Sequence, residues 1–189
     1  MIRLNRPPCP NPTALTSNYK HHANKKTLQG ASYGKCMYCE EKIISAQFGD
    51  VEHIKPVSVD PSLKFVWENL GFACAKCNNA KNNKYSDAII NPYNENPEQF
   101  IFIAGAFVCA FEGNDKGQFT IDIVELNRVG LVEKRGERFK LIQSLVNRYF
   151  NATDRAQQQA IKDQLIQEAA TDKEYSLVVK SLLLNNQIL

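Results

Sequence analysis

The spacing of apolar residues changes twice along this chain, and each change marks a different kind of structure. In the last stretch Leu131, Val132, Phe139, Ile142, Leu145, Val146, Tyr149 and Phe150 recur at roughly helical intervals, which predicts an amphipathic helix over about 130–150. Thr153 or Asp154 can cap a second helix bearing Ile161, Leu165 and Ile166. The run Thr171-Asp172-Lys173-Glu174 has capping-box spacing and predicts the start of a third, with Leu177, Val178, Leu182 and Leu183 on its apolar side. Upstream, FIFIAGAFVCAF (100–111) reads as buried strand, Gly113 to Gly117 as a turn, and FTIDIVEL as a second strand, together a hairpin. Between Gly34 and Pro97 the apolar runs are short (VEHIKPVSV, KFVW) and cysteine, asparagine and proline dominate, the composition of a small loop-rich unit. Pro7, Pro8, Pro10 and Pro12 exclude a regular helix at the start and predict an extended arm, followed by a short helix within Tyr19 to Gln29. The class is therefore α+β, in three parts: an arm (1–30), a loop-rich core (31–97), and a hairpin with a helical region (98–189).

Composition narrows this. A chain of 189 residues with 43% hydrophobic content is not disordered, and at this length folding buries roughly 70% of the unfolded surface, so no disulfide staple is needed. Its six cysteines need another explanation. The start, MIRLNRPPCPNPTALT, lacks the apolar run of a secretory signal, and FIFIAGAFVCAF falls short of the ~20 residues of a membrane span. The expectation is a cytoplasmic protein with no membrane partner, where closely paired thiols are metal ligands more often than disulfides. Charge is uneven: Arg3, Arg6, Lys20, Lys25, Lys26 and Lys35 precede any acid, whereas 36–100 holds nine acids against six bases. The basic start can track a phosphate backbone or be a solvated terminus.

Cys36-x-x-Cys39 and Cys74-x-x-Cys77 supply the four thiolates of a tetrahedral structural zinc site; free buried thiols are the alternative. A zinc held by four thiolates has no open position to activate water. Cys9 and Cys109 stand apart, read as an exposed arm thiol and a buried strand residue. Between and after the knuckles come Glu52-His53, Asn69 and Asn78. The segments KCMYCE, DVEHIKP and WENLGFACAKCNNAKNNK, within 36–84, resemble the HNH endonucleases (His-Me finger, ββα-metal) that carry paired zinc knuckles.

That resemblance implies a ββα-metal core and a metal-dependent endonuclease that hydrolyses DNA phosphodiester bonds. His53 is the implied general base, an imidazole being suited to take a proton from water at cellular pH. Glu52 and Asn78 occupy the positions that hold a single divalent cation, Mg²⁺ or Mn²⁺, to which oxygen donors are suited. Asn82, one turn beyond Asn78, is a further candidate ligand, and Asp50 a candidate helper where Glu52 stands for the family's usual Asp or His. Asn69 is expected to bond to backbone near His53 and hold its ring in register. Lys55, Lys81 and Lys84, together with Lys76, are candidate phosphate contacts. The stretch AIINPYNENPEQF, with the hairpin and TIDIVELNRVGLVEKRGERF after it, resembles the HNH proteins of retrons and Septu-type anti-phage systems. This implies an effector nuclease acting beside an ATPase partner, with the helical half as docking surface or as buttress. Two readings compete with it: a zinc-stabilised nucleic-acid-binding or scaffold subunit whose nuclease site is inactive, and a stand-alone restriction or homing nuclease.

Overall fold

The structure, a computed structural model, describes residues 1–43, 49–85 and 87–189. Its first residues are extended, as the prolines require, yet they are not a free arm. Met1, Ile2 and Leu4 are buried, and the Leu4 amide donates to the Pro92 carbonyl. The Arg6 guanidinium lies 3.9 Å from the centre of the Tyr93 ring and donates to the carbonyls of Trp67 and Leu70. The Trp67 indole in turn donates to the Pro7 carbonyl at 2.8 Å. The basic arm thus spends its apolar residues and one cation inside the fold. A short helix α1 (Pro12–Leu15) follows, capped by Asn11. Helix α2 spans His22–Ala31, with His21 as its cap, so it begins and ends later than the apolar pattern predicts.

The next unit is two strands and a helix. Strand β1 (Asp50–His53) pairs antiparallel with β2 (Leu70–Ala73), His53 opposite Leu70, and helix α3 (Ala75–Lys81) follows directly. Cys74 is the N-cap of α3, its sulfur accepting from the Cys77 amide. The first knuckle closes by backbone contact, the Cys36 amide donating to the Glu41 carbonyl and the Met37 amide to that of Phe72 in β2.

The hairpin expected across 100–126 lies elsewhere. FIFIAGAFVCAF is itself two strands, β3 (Ile101–Ala104) and β4 (Phe107–Ala110), turning at Gly105 with φ +61°. FTIDIVEL is not a strand; it belongs largely to helix α4 (Asp115–Ile123). Its Ile-x-Ile alternation fits either period, and the cap decides: Asn114 Oδ1 accepts from the Gly117 amide, so the expected turn is a helix start. Gly117 permits the packing that follows, because a Cβ there would stand 2.3 Å from the Phe100 carbonyl oxygen. Thr120, fully buried on the same face, donates to the Lys116 carbonyl and accepts from the Ile90 amide.

The C-terminal half is helical, as the periodicity predicts: α5 (Val129–Asn151), α6 (Arg155–Glu168) and α7 (Ser176–Asn185). Asp154 caps α6 by accepting from the Gln157 amide. Two assigned apolar positions, Phe150 and Ile166, are instead exposed. Thr171–Glu174 is not a capping box. Tyr175, in the left-handed region at φ +51°, separates it from α7, and Glu174 Oε1 accepts from the Lys42 amide instead. Helix α7 joins two apolar clusters, giving Leu177 and Val178 to the main core and Val179, Leu182 and Leu183 to a second one with Ile142, Val146, Ile161 and Leu165.

A buried polar hub ties this helix to the first knuckle. Glu40 accepts from the Met1 ammonium at 2.8 Å, from Ser176 at 2.7 Å and from Lys35 at 3.3 Å, while Lys35 also donates to Ser176 and to the Lys173 carbonyl. Burial, the largest single influence, pushes the Glu40 carboxyl up, but the Met1 ammonium, Lys35 and their hydrogen bonds together outweigh it and bring it from 4.5 to about 2. Because the folded value is the lower one, the stabilisation is complete above about pH 4.5 and is lost as pH falls through about 2, on the order of 3 kcal/mol in all. Urea unfolding at stepped pH should therefore show that falling stability in the wild type, and Glu40→Gln, less stable at neutral pH, should lose most of the dependence in this window.

Candidate functional site

His53 closes β1, and its surroundings fix the state of its ring. Nε2 lies 2.9 Å from the Lys64 carbonyl. A carbonyl only accepts, so Nε2 carries the hydrogen, and in the neutral ring Nδ1 keeps the lone pair. Burial lowers the pKa of His53 most; the Lys64 carbonyl bond opposes this, and the charges of Lys81, Lys20 and Lys64 lower it further. The neutral imidazole is thus the favoured form at neutral pH.

Asn69, immediately before β2, secures this arrangement from behind. Its Oδ1 accepts from the Lys55 amide at 2.8 Å, and its Nδ2 donates to the Lys55 carbonyl at 2.9 Å and the Leu63 carbonyl at 3.3 Å. One amide therefore stitches the chain just past His53 to the loop whose next residue, Lys64, receives the histidine's hydrogen.

Glu52 precedes His53 and is 4% exposed. Its Oε1 is 2.6 Å from Lys81 Nζ, a buried ion pair. Lys81 also donates to the His53 carbonyl at 2.9 Å. Burial raises the Glu52 carboxyl, the charge and contact of Lys81 lower it, Asp50 raises it, and it settles at about 7. Glu52, His53, Asn78 and Asn82 all line one cleft of about 510 Å³. The oxygens of the Glu52 carboxyl and of the Asn78 and Asn82 side-chain amides, on residues that line one cleft, are of the chemical type suited to a hard divalent cation.

The lysines are arranged differently from the sequence expectation. Lys81 does not face a ligand: it is 1% exposed and its ammonium is taken by Glu52 and the His53 carbonyl. Lys55 points to Asp60 at 3.4 Å and lines a different depression, beside Tyr85. Lys84 and Lys76 are exposed but outside the residues lining the His53 cleft. The cleft is flanked by Lys20 and Lys64, with Tyr19 beside them. These three carry no motif; the sole signal for Lys20 was the basic bias of the first 35 residues.

Behind the cleft, Cys36, Cys39, Cys74 and Cys77 are all buried, with their four sulfurs within 4.8 Å of one another and those of Cys39 and Cys74 3.9 Å apart. A tetrahedral zinc with Zn–S bonds of about 2.3 Å separates its sulfurs by about 3.8 Å, so the set fits that ion. Arg128, at the N-cap of α5, donates from both terminal nitrogens to Cys77 Sγ, at 3.4 and 3.5 Å. Burial lowers its pKa, but the neighbouring thiolates raise it by more, so the guanidinium stays charged against the cluster. Cys9 and Cys109, both half-buried, lie outside it.

Comparison with known proteins agrees with this geometry. Residues 36–84 match the family model of the HNH endonucleases. The chain is also 31% identical over 217 aligned positions to "Septu protein PtuB" of Bacillus thuringiensis, an alignment covering 99% of this chain and 83% of that protein. The chain belongs to the Septu PtuB family. In this PtuB-family protein the HNH domain contains β1, β2 and α3, both knuckles and the side chains that line the cleft from Glu52 to Asn83.

Two outcomes follow for the PtuB-family chain. Cys74→Ser removes a thiolate from the cluster, so elemental analysis should find bound zinc reduced from one per chain and thermal unfolding should occur at lower temperature. Lys81→Met removes the cation that holds the Glu52 carboxyl down, so the carboxyl takes up a proton at neutral pH and unfolding stability should fall by roughly 1–3 kcal/mol, with part recovered in Lys81→Met/Glu52→Gln, whereas Lys84→Met should stay within about 0.5 kcal/mol of wild type.

Proposed function

We propose that this protein is a divalent-metal-dependent endonuclease that hydrolyses DNA, the effector of a prokaryotic anti-phage defence system working with an ATPase partner. The observation that carries the reading is the placement of His53: its Nε2 lies 2.9 Å from the Lys64 carbonyl, which leaves Nδ1 to act as the base in a neutral ring that burial favours, on the same cleft as Glu52 and Asn78 within an HNH domain.

In the proposed reaction His53 Nδ1 takes a proton from a water whose oxygen attacks phosphorus. The phosphorus–O3′ bond breaks as the new bond forms, leaving a 5′-phosphate, and the departing 3′ oxygen is protonated by solvent to a 3′-hydroxyl. Glu52 and Asn78, with Asn82 as a third donor, would hold Mg²⁺ or Mn²⁺, which when bound offsets negative charge on the phosphoryl group and leaving oxygen. Asn69 holds the backbone that aims the ring. Lys20 and Lys64 meet phosphates on either side and fix the strand's position without reading bases.

The defence role is supported by the likeness to Septu protein PtuB, and the ATPase partner is proposed from the resemblance of the stretch after the HNH domain to the HNH proteins of retrons and Septu-type systems. The helical half is the proposed docking region, α5 leaving Leu141 and Phe150 well exposed. A cytoplasmic location is part of this proposal; among the described residues no helix is long and apolar enough to cross a membrane.

The deciding assay is Mg²⁺-dependent nicking of supercoiled plasmid, with and without the ATPase. His53→Ala should reduce it by at least about 10²-fold while zinc content and unfolding temperature are kept. Retained nicking by that variant overturns His53 as the base, and an inactive wild type under both conditions favours the scaffold reading.

A further inference from the structure

Tyr19 lies in the turn between α1 and α2, far from the HNH domain in sequence. Its ring centre nevertheless stands 4.4 Å from that of His53, the two planes tilted by 55°. The Lys64 carbonyl holds one edge of the imidazole. A single hydrogen bond at one nitrogen still lets the ring swing about that bond, and a second contact on the ring removes the freedom. Tyr19 is itself fixed, being half-buried and packed against the main core. The next residue, Lys20, places its ammonium 3.8 Å from Asp50 at the start of β1, an exposed pair that adds little to this packing.

We infer that Tyr19 is a positioning residue: its ring holds the His53 imidazole in the orientation that keeps Nε2 on the Lys64 carbonyl and Nδ1 toward the cleft. This rests on the reading of His53 as general base. The contact is made by the ring, so phenylalanine should serve in its place and a small aliphatic residue should not. A displacement of the base by about 1 Å can cost about 10²-fold in rate, because proton transfer and attack both need near-contact geometry.

The test uses the full chain with Mg²⁺ and a duplex DNA substrate at steady state. Tyr19→Ala should lower kcat by about ten- to a hundredfold with KM within about twofold, and Tyr19→Phe should recover most of the loss. The second readout is the long-range proton–nitrogen NMR spectrum of the histidines at one mildly alkaline pH, without divalent cation. His21, His22 and His53 are the whole set, and His53→Ala assigns the relevant signal. Tyr19→Ala should replace the single Nε2–H pattern of His53 by one averaged over both tautomers. The inference is overturned if kcat is unchanged, if the loss falls on KM, or if kcat drops while the His53 pattern persists. Where Tyr19→Ala fails to fold, Tyr19→Leu is read by the same criteria. An inactive His53→Ala beside a fully active Tyr19→Ala removes this inference alone, whereas an active His53→Ala removes the base assignment beneath it.

Discussion

Four sulfurs meeting at one point are the constraint on which the rest of the molecule depends. The knuckles that supply them are separated by β1, the loop carrying Lys64, and β2, and their meeting sets the distance that stretch must span. Cys74 is a member of the cluster and also the N-cap of α3, so whatever fixes its sulfur fixes the start of the helix that presents Asn78 and Lys81. Four thiolates around a divalent ion carry a net charge of −2 in a buried place, which calls for a cation nearby. Arg128 supplies it from the cap of α5, so the cluster also anchors the helical half.

Charge at the cleft follows the same logic of local compensation. Glu52 could not be buried beside Asp50 without a counter-charge, and Lys81 provides one from the neighbouring helix. That arrangement puts positive charge close to His53, which helps keep its ring neutral. Acid, base and cation at this spot are therefore coupled parts, and altering one shifts the demands on the other two.

The parts legible in the sequence were those encoded at short range. The two-residue spacing of the cysteines, the Glu52-His53 pair and the helical periodicity after Leu131 each need only a few neighbouring letters, and each is found in the fold. The roles of Glu52, His53, Asn69 and Asn78 came from resemblance, and the geometry adds what letters could not carry: that Asn69 reaches both Lys55 and Leu63, and that Lys81 is internal. FTIDIVEL misled because alternation over so few residues satisfies both periods, and a single asparagine cap tips it to helix. Thr171–Glu174 misled because a cap depends on what its side chains meet, and Glu174 meets Lys42. Tyr19 was invisible as a site residue and Lys20 was marked only by the basic bias of the start, because only the packing of the N-terminal segment brings them to the cleft.

The polar hub around Glu40 has a consequence for the order of events at the ribosome. Lys35 and Glu40 belong to the first knuckle, whereas the Lys173 carbonyl and the Ser176 hydroxyl that complete their bonding belong to a much later segment. While the chain is being synthesised, the knuckle emerges long before those partners exist. A buried cation and carboxylate missing two partners are poorly satisfied, so the first knuckle reaches its final stability only when helix α7 has left the exit tunnel. The HNH domain is contiguous in sequence, yet part of the bonding beside its first knuckle is supplied by a segment far downstream, on which its final stability depends.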